Sequence, residues 1–87
     1  MAYKLSDLAI DTIKSLQSES KKEFKPQSKE DIEELSLALS FTYMMAGFGK
    51  GQDEELKVLK EKISKVLEEL KTHIDDIDFD DLNARLG

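Results

Sequence analysis

An 87-residue chain with 39% hydrophobic and 37% charged residues, one Pro, no Cys and no Trp has the composition of a small helix-rich globular protein, not a disordered one. Its length allows one domain, spanning 1–87, and the missing cysteines exclude a disulfide framework, so packing alone must hold the fold. A net charge of −6 excludes general binding to nucleic acid or anionic lipid, and the acidity is lopsided: seven Lys face eight acids in residues 1–50, and six basic residues face eleven acids in 51–87.

The first ten residues carry Lys4 and Asp7 and lack the apolar region and cleavage site of a secretory signal, so a cytoplasmic protein is expected. A first helix is predicted from about Lys4 to Glu23. Leu5, Leu8, Ala9, Thr12, Ile13, Leu16, Ser20 and Phe24 fall on one broad face, opposite Asp7, Asp11, Lys14, Ser18 and Lys21. Pro26 is expected to end it, because the residue before a proline is pushed out of the α region. Lys21, Lys22, Lys25 and Lys29 bracket this turn. A solvated turn explains them, and the alternative is an electrostatic dock for the acidic tail of a neighbouring copy.

Ser28 reads as the N-cap of a second helix, with Asp31 in a capping-box arrangement and Glu30, Glu33 and Glu34 where the helix dipole favours negative charge. This helix is predicted to run to about Gly47, where GFGKG (47–51) stops it. At 100° per residue it shows two apolar faces. Ile32, Leu35, Leu39, Tyr43 and Ala46 fall on one side, Leu37, Phe41, Met44, Met45 and Phe48 roughly opposite, with Ser36, Ser40 and Gly47 as a small-residue seam between them. Both faces then need cover, from two other helices or from a second copy. On that ground helix 2 is expected to be the most buried element, with Leu35, Leu39, Phe41 and Met44 inaccessible in the assembled protein. The apolar run 35–48 is too short and too interrupted for a membrane span, which needs about 20 residues.

A third helix is predicted from Gln52 or Asp53. Leu56, Leu59, Ile63, Val66, Leu70, His73 and Ile77 recur at spacings of three and four, flanked by Leu67 and Ile74, in a heptad-like seam, and Val58 alone falls off that face. Asp78 then caps a short fourth helix that docks Phe79, Leu82 and Leu86, with Arg85 near its end.

The motifs that invite chemistry have structural readings. GFGKG lacks a preceding strand and the phosphate-loop spacing, and Asp53, Glu54 and Glu55 after it would repel an anion. Counted as a calcium loop from Asp76, the acidic run places Asp81 where glycine is needed and Gly87 where a bidentate Glu is needed. Glu30, Glu33 and Glu34 with Asp53 and Glu54 suggest a magnesium-dependent all-α nucleotide pyrophosphohydrolase, but capping explains acids at N-terminal turns. His73, the single histidine, has no second His and no Cys to partner it and reads as a partly buried edge residue.

The expected fold is therefore all-α, an antiparallel bundle of three main helices plus a short C-terminal helix. The expected function is non-catalytic: a small acidic interaction protein, acting as a homodimer or on a protein partner through Leu37, Phe41, Met44, Met45 and Phe48, with no cofactor, metal site, nucleic acid or membrane span. A small-molecule or metal-binding bundle is the alternative. In size, acidity and helix order the chain loosely resembles the cytosolic helical-bundle immunity proteins of bacteriocin producers, and small phage- or plasmid-encoded inhibitors share that look. The resemblance implies an immunity, inhibitor or adaptor type of protein and assigns no residue.

Overall fold

The computed structural model describes residues 2–47 and 54–87. Among the described residues there are four helices: α1 (Asp7–Ser20), α2 (Lys29–Gly47), α3 (Glu54–His73) and α4 (Phe79–Leu86). The architecture is the all-α bundle of three main helices and a short fourth.

α1 is shorter than its periodicity predicts, at both ends. Ser6 is extended and its hydroxyl accepts from the Ala9 amide at 3.2 Å, which starts the helix three residues late. Glu69 on α3 holds that cap, accepting from the Ser6 amide at 2.8 Å and the Ser6 hydroxyl at 2.6 Å. Upstream, Tyr3 forms an isolated parallel bridge with Ile77, its amide donating to Asp76 and its carbonyl accepting from Asp78. At the other end Lys21 takes a left-handed conformation, φ 55°, which no helix of L-residues continues through. The stop is therefore Lys21 and not Pro26. The Gln17 side chain then accepts from the Phe24 amide at 2.7 Å and fixes the connection.

α2 begins with a reciprocal cap. Ser28 accepts from the Asp31 amide at 3.3 Å, while Asp31 accepts at 2.9 Å from the amide of Gln27, one residue outside the usual capping box. Phe48, most of the GFGKG turn and the predicted start of helix 3 lie outside the described residues. α3 carries the predicted seam, with Ile63, Val66 and Leu70 buried, but it ends at His73. There the Asp76 amide donates to the His73 carbonyl at 2.9 Å and Ile77 leaves the helix to pair with Tyr3. Asp78 caps α4 as expected, accepting from the Asp81 amide at 3.0 Å.

α3 packs against both α1 and α2, and α4 packs against α1. The core joins Leu5, Ala9, Ile10 and Ile13 to Ile32, Leu35 and Leu39, to Ile63, Val66 and Leu70, and to Ile77 and Leu82. Ile10 lies off the predicted face of α1, and cover from two helices widens the buried arc to include it. Two expectations fail within the chain. α2 is not the most buried helix, because only its inner side is covered; Phe41 and Met44 are exposed, and so is Tyr43. Ser20, placed on the inward face of α1, is exposed as well.

Candidate interaction surface

The two faces of α2 meet different surroundings. Ile32, Leu35 and Leu39 point into the core and are buried. Opposite them Leu37 is 71% exposed, Phe41 63%, Met44 59% and Met45 55%. α3 packs along α2 and the end of α1 meets it beside Leu39 and Thr42, and neither covers the side opposite Ile32, Leu35 and Leu39. Large apolar side chains on successive turns of one helix form a patch, which carries more meaning than scattered exposed residues.

The exposed residues form a seam. Leu37, Phe41 and Met44 recur at spacings of four and three, and the same spacing read backwards reaches Glu34 and Glu30. The stripe is thus acidic in its first turns and apolar beyond them. Beside it, between α2 and α3, runs a groove of about 520 Å³ lined by Ser36, Leu37, Ser40, Leu67 and Ile74 with Glu33 and Lys71. The two serines keep this flank of α2 low. Toward the C-terminal end, the Lys60 ammonium lies 5.4 Å from the centre of the Tyr43 ring. Lys57 stands one turn before it on α3, exposed. Methionine, unbranched and polarizable, lets such a surface adapt to its partner.

The acidic C-terminal run is dispersed. Asp75 pairs with Lys29 at 2.8 Å, Asp76 lies 3.8 Å from His73, Asp78 caps α4 and Asp81 lies 3.3 Å from Arg85. The hydrogen bond to Asp75, and then that carboxylate's charge, raises the Lys29 ammonium above its ordinary pKa. All four lysines of the turn are exposed, yet Lys29 pairs with Asp75, Lys25 lies 3.8 Å from Glu23 and the Lys22 ammonium lies 5.8 Å from the centre of the Phe24 ring. Among the described residues, no three or more His, Cys, Asp or Glu side chains converge in a way that could hold a metal ion. No helix among them is long and apolar enough to cross a membrane.

His73 is half-buried and lies flat against Tyr3, with ring centres 3.5 Å apart and planes within 4°. Withdrawal from water, then the charge of Glu69 and a hydrogen bond to it, raises the Tyr3 phenol above its ordinary pKa. Arg85 donates to the Leu5 carbonyl at 2.6 Å and pairs with Asp7. These contacts pin the N-terminal segment across the α3–α4 corner. Two other clefts border α1. One of about 650 Å³ lies between the connection after α1 and α4, with Phe24, Lys25, Phe79 and Asn83 in its wall. The other, of about 330 Å³, is lined by Thr12, Leu16, Leu39, Thr42, Leu59 and Ile63 where the ends of α1, α2 and α3 meet.

Of the residues predicted to bind a partner, Leu37, Phe41, Met44 and Met45 share the outer side of α2, and Phe48 falls outside the described residues. The groove adds Leu67 and Ile74, whose signal in the sequence was their position beside the α3 seam instead of on it. No family model matches the chain, no curated protein matches it in sequence, and no solved structure matches it in fold.

Proposed function

We propose that the protein is a non-catalytic interaction module that acts by self-association through the outer face of α2. The observation that carries this reading is the exposure of Leu37, Phe41, Met44 and Met45 on successive turns of one helix. An 87-residue chain buries a modest core, and a partner that covers this face removes apolar area from water in proportion to its size. A two-fold dimer is the commonest closed assembly and is the form expected. Immunity proteins, inhibitors and adaptors act by occupying another protein, and the same face would serve that role. The non-catalytic part of the reading is supported by the titratable groups that hold the fold: Glu69 and Asp78 in caps, and Lys29, Asp81 and Arg85 in pairs.

Sedimentation equilibrium across micromolar concentrations tests the reading. A mass that rises from monomer to dimer is the expected result, and a single monomeric mass at the highest concentration overturns it. The 330 Å³ apolar cleft favours a second reading, a small-molecule-binding bundle. A monomer whose melting temperature rises with a small apolar probe such as benzene would favour that reading instead.

A further inference from the structure

We propose that the cleft between the α1–α2 connection and α4 binds a small neutral ring that carries an amide, whose carbonyl accepts from Gln17 and whose N–H donates to Asn83. The site is apart from the outer face of α2 and does not depend on self-association.

Two side-chain amides stand in the wall of this cleft, each held at one end. Gln17 Oε1 accepts from the Phe24 amide at 2.7 Å. Asn83 Nδ2 donates to the Pro26 carbonyl at 2.7 Å and to the Phe79 carbonyl at 2.9 Å. A backbone N–H only donates and a carbonyl only accepts, so these contacts fix which way each amide is turned. A donor is left on Gln17, its Nε2, and an acceptor on Asn83, its Oδ1. Neither has a protein partner among the described residues. The held ends attach to Phe24 and Pro26, two positions apart on one connection. Three extended residues span no more than about 10 Å, so a molecule of one or two rings reaches both amides.

The rest of the wall sets the character of that molecule. Phe24, Phe79 and Leu86 are half-buried there, and the two aromatic rings favour a flat partner. Glu23 and Asp80 outnumber Lys25, whose ammonium already lies 3.8 Å from Glu23, so the wall opposes an anion. The volume, about 650 Å³, falls within the ~300–1,000 Å³ usual for small-molecule sites. Because both amides are fixed by the fold, binding orders few groups that were free before.

Benzamide is the probe, a neutral ring with one carbonyl acceptor and an N–H donor. It is titrated through the millimolar range into the isotope-labelled full chain, with the side-chain amide resonances of Gln17 and Asn83 followed by NMR. Saturable shifts of both are expected, and their absence overturns the proposal. Methyl benzoate keeps the ring and the carbonyl but has no N–H to give Asn83. It should bind about tenfold more weakly, the worth of one hydrogen bond, and equal binding overturns the assignment to Asn83. Benzoate should bind more weakly than benzamide, and tighter binding would make the cleft an anion site instead. Gln17→Glu separates binding from folding, since its carboxylate still accepts from the Phe24 amide but has no N–H for the ligand. The variant should melt within a few degrees of the unmodified chain and bind benzamide about tenfold more weakly or worse. A variant that melts normally and binds benzamide as before overturns the role of Gln17.

Discussion

Leu39 and Phe41 stand two residues apart on opposite sides of α2, and truncating each should give opposite results. Leu39 is 1% exposed, so Leu39→Ala removes core packing and should cost about 2–5 kcal/mol of folding stability. In a domain of this size each kcal/mol lowers the melting temperature by about 4–8 °C, so the variant should melt at least about 8 °C lower. Phe41 is 63% exposed, so roughly a third of its burial is already realised within the chain. Full burial of a Phe side chain is worth about 1.5–3 kcal/mol. Phe41→Gln, which keeps a helix former at the site, should therefore cost the monomer only about 0.5–1 kcal/mol. The remaining two-thirds, about 1–2 kcal/mol, is gained only when a partner covers the ring. Symmetry doubles it to about 2–4 kcal/mol per dimer, or ~30- to 1,000-fold in the dissociation constant. Sedimentation equilibrium measures the association, and thermal melts at concentrations below dissociation measure the monomer. If Phe41→Gln associates like the unmodified chain, or melts as low as Leu39→Ala, Phe41 is not an interface residue.

The remaining predictions concern the caps and the N-terminal segment. Asp78→Ala removes the cap of α4 and should lose about 1 kcal/mol, with no calcium response in either protein; a millimolar calcium titration of the melting temperature checks this, and a rise present only in the unmodified chain would contradict the capping role. The Tyr3 phenol has its pKa raised in the fold, so its contribution to stability is complete below its ordinary pKa of about 10 and is lost as pH climbs through the higher folded value. Tyr3→Phe should make the alkaline fall in stability shallower, measured by denaturant unfolding between about pH 9 and 11; Lys29, also raised, has the same sign and keeps part of the slope in both proteins. Identical slopes would mean that Glu69 and the corner it holds do not restrain the phenol.

What was legible in the sequence was local. The α3 seam of Ile63, Val66 and Leu70 follows from spacing, and the Asp78 and Ser28 caps follow from hydrogen bonds that span three residues. The division of α2 into two apolar faces was legible for the same reason. What stayed hidden depends on residues far apart. Ser6 and Glu69 are 63 positions apart, yet their contact sets where α1 begins. Tyr3 and Ile77 pair through backbone atoms that any residues possess, so no side-chain pattern announces the bridge or the early end of α3. Lys21 closes α1 in a left-handed turn that its residue type does not favour.

The exposed face of α2 lies on the side that no described helix covers: Leu37 is exposed at the level of the buried Leu35 and Leu39. Folding does not require apolar residues on that side. α2 carries Glu30, Glu33 and Glu34 on its own outer side two turns earlier, and a polar residue at position 41 or 44 would change the monomer's stability little. Exposed Phe and Met also carry a cost, since they promote indiscriminate association unless a specific partner covers them. The chain's own packing therefore explains Leu35 and Leu39 but not Phe41 and Met44. A second copy, bringing the same four residues, supplies the cover that the chain's own helices do not give.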